Sequence, residues 1–333
     1  MWHRICLTTR VPPRTIESVQ SRHSQDPALP LWRRLRRRFY YLLTKATFVS
    51  VRRLPPSVGR GLCVGLARMA LLVRPRERSR ASTNLALAFP ELNPTEREKL
   101  LGESALALGR NLYDSLTLKQ AVREDFAGVH DDGTIATVSK LRNHGRGVLI
   151  LTGHLGCWEL LGAFLAARLG GLAVVTGTVH NRPVDRLLQE QRRELGIVPL
   201  PREGDLRPLV RTLKQGGVVA VLLDQNTRVQ NMDVPFFGHP APTAMGFGKL
   251  ALRYRVPVLP VAIARGVDGH HVVHLPLVEL SVGENKSVVV EFLKKCNFAL
   301  ETLIRRNPAE WVWFHQRWPL PITRYPGRQQ EPK

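Results

Sequence analysis

The sequence predicts an α/β protein with a mixed, largely parallel sheet flanked by helices. Three observations lead there. From residue 147 onward, short apolar runs alternate with stretches of helical period. The early runs are apolar throughout, the pattern of strands covered on both faces, and do not alternate as half-exposed strands do. Finally, 333 residues with 44% hydrophobic side chains are enough for one sizeable α/β domain.

Residues 1–30 contain Pro12, Pro13, Pro27 and Pro30 and no apolar run long enough for a signal-peptide core, so a poorly ordered tail is expected there. A basic and apolar helical segment follows over 31–75. Arg33, Arg34, Arg36, Arg37 and Arg38 directly precede the stretch Phe39 to Val51, which is 13 residues long and contains Lys45. A spanning helix needs about 20 apolar residues. An interfacial helix fits better, with arginines on anionic headgroups and Phe, Tyr and Leu in the acyl boundary; a solvated basic helix leaning on the core is the alternative. A second apolar patch, Gly61 to Val73, would complete a membrane-facing hairpin. The folded body is expected over 76–320, with a second tail at 321–333. Its first part, 80–116, reads as helical segments. Asn93-Pro94-Thr95 starts one of them, with Glu96 and Glu98 in its first turn.

The expected strands are Val148–Leu151, Leu172–Val179, Val218–Leu223, Val258–Ile263 and His271–Leu280. Helices are expected near 157–169, 183–195, 205–215, 244–255 and 287–306. No internal repeat is present.

Charge narrows the partners. Forty-nine Lys and Arg against 27 Asp and Glu give +22, so an anionic partner is implied: nucleic acid, a membrane surface, or an acidic carrier or phosphorylated substrate. Cys6, Cys63, Cys157 and Cys296 lie far apart with no C-x-x-C spacing, which argues against a zinc site or disulfide framework and for a reducing, cytoplasm-facing location. Cys157 reads as a small packing residue.

The chemistry concentrates in GVLILTGHLGCWELL (147–161). His154 sits where a strand ends, with Glu159 five residues later in the first turns of the next helix. Open α/β sheets bind ligands beyond the carboxyl ends of their strands. A His placed there can act as general base on a hydroxyl, while a carboxylate one turn away holds the other ring nitrogen; the substrate then supplies the nucleophile. Gly153 and Gly156 let a substrate approach the backbone. The spacing alone is a weak signal, and an ordinary structural His is its bland reading. Asp224 and Gln225 close GVVAVLLDQN, so an acid stands at another strand end, on the same sheet edge if the two strands are parallel. The loop VPFFGHPAPT suits either the rim of an acyl-chain pocket or a rigid packed loop. Arg182, Arg192 and Arg193 could hold phosphates near the site's mouth, or simply be surface.

Other chemistries are disfavoured. There is no G-x-S-x-G, no G-x4-G-K-[ST] and no H-E-x-x-H. Gly246-Phe-Gly248-Lys-Leu-Ala251 matches a dinucleotide-binding pattern but follows a Pro-rich loop instead of a strand. His270, His271 and His274 read as a surface strand with no acidic partner, not a metal site.

Taken together, NLALAFPEL (84–92), GHLGCWELLG (153–162), NRPVDRLLQEQRRELG (181–196), LLDQN followed by VPFFGHPAPT, and NPAEWVWFHQRW (307–318) resemble the bacterial lipid A biosynthesis acyltransferases of the lauroyl/myristoyl type, within the lysophospholipid acyltransferase superfamily. Five such pieces in the right order are specific. The resemblance implies a glycerolphosphate-acyltransferase-like sheet, His154 as general base paired with Glu159, and substrate-binding roles at Asp224 and at Arg193 or a neighbouring arginine; Arg182 and Gln225 join the candidate substrate-binding residues by their position alone. It also implies acyl carrier protein or acyl coenzyme A as acyl donor and an N-terminal membrane helix. The expected activity is therefore O-acyl transfer to a hydroxyl of a lipid A precursor at the cytoplasmic face of the inner membrane, without metal or redox cofactor. The expected partners are an acidic acyl carrier protein, a phosphorylated glycolipid and an anionic membrane, and not nucleic acid. Acylation of a phosphatidylinositol mannoside or ornithine-type lipid, or a non-catalytic basic binder, are the alternatives.

Overall fold

The computed structural model describes residues 31–319, apart from 144, 178–180 and 227–228. The tails expected at 1–30 and 321–333 lie outside the described residues. Five helices come first: α1 (Leu31–Arg53), α2 (Pro56–Val73), α3 (Pro75–Ala88), α4 (Pro94–Leu116) and α5 (Leu118–Arg123). The chain then alternates through β1 (Val129–Asp131), α6 (Thr134–Arg142), β2 (Val148–Thr152), α7 (Trp158–Leu169), β3 (Leu172–Thr176), α8 (Arg182–Glu194), β4 (Ile197–Pro201), α9 (Arg207–Lys214) and β5 (Val218–Leu222). After them come β6 (Asn231–Phe236), β7 (His239–Ala244), α10 (Met245–Arg253), β8 (Val258–Arg265), β9 (His270–His274) and α11 (Lys286–Arg306).

Seven strands form one sheet in the order β1-β9-β8-β2-β5-β3-β4. Strands β8, β2, β5, β3 and β4 are mutually parallel; β9 runs antiparallel to β8 and carries β1 parallel to itself. The fold is thus α/β with a mixed, mostly parallel sheet between helices. β2 shows why its residues must be apolar throughout. Successive side chains of a strand point to opposite faces, so Leu149 and Leu151 enter the core under α10 and α11, while Val148 and Ile150 enter the core under α7. All four are fully buried.

Strands β1 and β4 are not among those expected from the sequence, β3 ends at Thr176 instead of Val179, and two further segments differ from the sequence reading. The stretch expected as an apolar loop is the hairpin β6–β7, with Pro235 opposite Pro240. Proline removes a ladder donor, and a separate two-stranded ribbon tolerates that where a central strand does not. Phe236 and Ala241 of this hairpin are buried, and Phe236 packs on Trp311 and Trp318. The strand expected over His271–Leu280 stops at His274, and beyond Pro276 only an isolated bridge joins Val278 to Val258.

At the N-terminal side, α1 is one continuous helix whose Trp32, Leu35, Phe39, Tyr40, Leu42 and Leu43 are exposed. Helix α2 packs closely on α4: a Cβ at Gly109 would lie 2.6 Å from the Cα of Val64, so only glycine permits this approach. By length and composition α2 could cross a membrane, with 18 residues at mean hydropathy 1.3. Helix α4 begins as its sequence predicts. Asn93 Oδ1 accepts from the Glu96 N–H at 3.0 Å and the Asn93 N–H donates to Glu96 Oε2 at 2.8 Å, a reciprocal cap.

Candidate active site

Parallel pairing of β2 with β5 sets Thr152 opposite Leu222. Two residues further along each strand, His154 and Asp224 therefore meet at the carboxyl edge of the sheet. His154 Nδ1 lies 2.9 Å from Asp224 Oδ1, and the His154 backbone N–H donates to Asp224 Oδ2 at 2.7 Å. Trp311 Nε1 donates to the same Oδ2 at 2.8 Å. With Nδ1 engaged by the carboxylate, the imidazole is fixed in orientation and Nε2 is its remaining nitrogen. Trp158 packs edge-on against the ring, with centroids 4.9 Å apart.

The loop holding His154 is strapped down from the far end of the chain. Val312 N–H donates to His154 O at 3.1 Å and Gly156 N–H donates to Glu310 O at 3.0 Å. Gly156 has φ +61°, and a Cβ there would lie 1.9 Å from the carbonyl oxygen of Ile263, so the turn requires glycine.

Asp224 is wholly buried. Burial acts to raise its carboxyl, but the His154 imidazole, its two hydrogen bonds and nearby His315 outweigh that and hold the group well below the ordinary carboxylate range. His315, whose Nε2 lies 3.2 Å from Asp224 O, is shifted down by burial, with Asp224 opposing and His154 reinforcing the shift.

The structure corrects the expected pairing of His154 with Glu159. Glu159, in the first turn of α7, receives a two-point contact from Arg192 of α8: Nε reaches Oε2 at 3.2 Å and Nη2 reaches Oε1. Asp224 occupies the place behind the imidazole because the adjacent parallel strand delivers it there, whereas Glu159 starts a helix that carries it toward α8. Burial acts to lower the Arg192 guanidinium, but its hydrogen bond and charge pairing with Glu159 raise it overall.

His154, Glu159, Arg192 and Gln225 all line one cavity of about 700 Å³. Its interior is apolar, walled by Leu149, Leu161, Leu165, Leu172, Leu209 and Phe247. Volume and lining suit a ligand with a long apolar part and few polar groups. Arg182 and Arg193 are exposed on α8 and do not line it, whereas Arg202, at the end of β4, does.

Other candidates resolve into structure. Gly248 lies inside α10, where a Cβ would approach Leu293 and Val289 at 3.1 Å; close packing on α11 accounts for this glycine, while a Cβ at Gly246 would meet nothing within 4 Å. The three histidines of β9 lie between β1 and β8, and acidic partners are present after all: His270 Nε2 is 3.2 Å from Asp114 and His271 Nε2 is 2.7 Å from Asp268. Asp268 also meets His130 at 3.5 Å, so both rings share its carboxylate. Cys157 is buried, and burial with Asp114 nearby pushes its thiol up to about 12, an inert state that suits packing.

Trp311, His315 and Arg192 as the partner of Glu159 are the contributions that spacing could not reveal. The only linear signal for the first two is the aromatic density of WVWFHQRW.

Comparison with known proteins gives a consistent result. The sequence profile of the bacterial lipid A biosynthesis acyltransferases matches residues 31–319. A lipid A biosynthesis palmitoleoyltransferase of Escherichia coli (strain K12) is 27% identical over 271 residues, covering 77% of this chain and 84% of that protein. A lipid A biosynthesis myristoyltransferase of the same organism is 23% identical over 295 residues, covering 86% and 87%. A phosphatidylinositol mannoside acyltransferase of Mycolicibacterium smegmatis is 25% identical over 178 residues, covering 52% and 57%.

Proposed function

The chain belongs to the bacterial lipid A biosynthesis acyltransferase family, and from that membership we propose that it moves a fatty acyl group from a thioester to a hydroxyl of a phosphorylated lipid A precursor. The donor is acyl carrier protein or acyl coenzyme A. The observation that carries the reading is an imidazole held by a buried carboxylate and lining a largely apolar cavity.

His154 Nε2 takes the proton of the acceptor hydroxyl as its oxygen attacks the thioester carbonyl. The tetrahedral intermediate collapses, the carbon–sulfur bond breaks, and the departing thiolate receives the proton back from the imidazolium. Asp224 keeps Nδ1 protonated and stabilises the imidazolium between these steps. Glu159 contributes by holding Arg192 where it lines the cavity, and a backbone N–H or an arginine stabilises the oxyanion. This chemistry needs no metal or redox cofactor. The exposed basic and aromatic surface of α1, with apolar α2 beside it, supports docking at the anionic cytoplasmic face of the inner membrane.

Purified protein mixed with acyl carrier protein thioester and a lipid A precursor is expected to give ester and free thiol. His154→Ala is expected to fold and give none; transfer by that variant at the unaltered rate would sink the assignment of the base. A second acceptor class, phosphatidylinositol mannosides, is favoured by the mycobacterial relative. Mass spectrometry of lipids from cells lacking the protein separates the two, since the species missing one acyl chain names both acceptor and chain length.

A further inference from the structure

We propose that Arg202 is the residue that binds the phosphate of a phosphorylated substrate at this site; the inference rests on the acyl-transfer reading and adds a recognition element to it. Arg202 follows the last residue of β4, and its backbone N–H donates to Thr176 O at 3.0 Å. It therefore stands on the same carboxyl edge of the sheet as His154 and Asp224. Strands β2 and β4 are three positions apart in the sheet, so the two residues are separated along it by about 14 Å at the usual interstrand spacing.

Its guanidinium lies across the backbone of Gly177. A Cβ on that glycine would be 2.7 Å from Nη2 and 3.0 Å from Cζ, so the glycine is what leaves room for the head. Arg202 lines the cavity, and its Nε is buried without a hydrogen-bond partner. Among the described residues no carboxylate pairs with it. The competing arginines are otherwise engaged or placed: Arg192 is held by Glu159 through Nε and Nη2, and Arg182 and Arg193 lie outside the cavity. A planar fork with an unused N–H, lining a largely apolar pocket, fits a phosphate oxygen pair carried some distance from the reacting atom.

Two substrates could present that phosphate, the glycolipid acceptor or the phosphopantetheine arm of the donor. Calorimetric titration in neutral detergent distinguishes them with four ligands: a phosphorylated diglucosamine lipid and its dephosphorylated form, and S-acyl phosphopantetheine and S-acyl pantetheine. The unaltered protein is expected to bind one phosphorylated member about 10- to 100-fold more tightly than its partner, and that pair identifies the source. Arg202→Gln is expected to lose that preference while keeping its affinity for the dephosphorylated ligand. Gly177→Ala, which pushes the head aside and keeps its charge, should do the same even if Arg202→Gln folds poorly. Preference retained in both variants, equal weakening toward both members of a pair, or no preference in the unaltered protein would each overturn the proposal. Absence of acyl transfer alongside an Arg202-dependent phosphate preference would instead count against the reaction and leave the binding role standing.

Discussion

At Asp224 three donors converge on one buried carboxylate, and two of them come from a single residue, His154. An amide at this position cannot accept all three, because one of its two ends is itself a donor. Asp224→Asn is thus expected to lower kcat by about 10²- to 10⁴-fold and to lower the thermal midpoint, measured side by side. Glu159→Gln should also cost activity heavily, but through Arg192. The losses for Glu159→Gln, Arg192→Gln and the double variant should be nearly equal, a non-additivity that steady-state kinetics on the three proteins would reveal. Additive losses would mean that Glu159 acts on something other than Arg192. Acid sensitivity follows from two groups of the same sign. Asp224 is depressed below its unfolded value and His315 below 6.5, so in each case the unfolded chain binds more protons and stability is lost as pH falls. For His315 that loss begins below pH 6.5. His315→Gln should flatten the dependence of the melting midpoint on pH in that region while leaving the steeper decline at lower pH, where Asp224 titrates. The partnership of His154 with a carboxylate was legible from residue types, but its identity was not. Distance along the chain favoured Glu159, whereas distance across the parallel sheet favours Asp224, seventy residues away.

Among the elements, the helices after residue 150 were readable to within a residue or two: the helix expected at 157–169 spans Trp158–Leu169, and that at 287–306 spans Lys286–Arg306. The β6–β7 hairpin was not, because its prolines are the residues that ordinarily argue against a strand. Its role is to bring Phe236 against Trp311 and Trp318, and Phe236 is fully buried. Phe236→Ala is expected to destabilise the protein by about 3–5 kcal/mol, seen as a lower denaturant midpoint with an unchanged slope. The loss should also reach the site, since Trp311 is both the hairpin's neighbour and a donor to Asp224. The α4 cap is a contained contrast: Asn93→Ala removes a reciprocal pair of hydrogen bonds at an exposed helix end and should cost about 1 kcal/mol with transfer activity unchanged.

On the scale of the whole molecule, +22 of charge and an exposed row of aromatic and aliphatic side chains on α1 are the features that the proposed docking at an anionic apolar boundary rests on. Arg34→Glu with Arg38→Glu should weaken sedimentation with vesicles containing anionic lipid, and raising salt should mimic that loss in the unaltered protein. Neutral vesicles should show neither effect. Composition gives the expected sign of the partner's charge. It could not show which apolar stretch was the longer helix, because the break between α1 and α2 depends on Pro55 and Pro56 and not on hydropathy.

The strap from Glu310 to Trp313 has a consequence for how the protein is made. A ribosome releases the chain from its N-terminus, and the sheet with His154 and Asp224 is available well before Trp311 emerges. Until then Asp224 lacks its indole donor and the His154 loop lacks its two backbone tethers. The arrangement around His154 and Asp224 is accordingly completed only after the residues near Trp311 have been synthesised, so a nascent chain that reaches a membrane earlier does so before the proposed chemistry is in place.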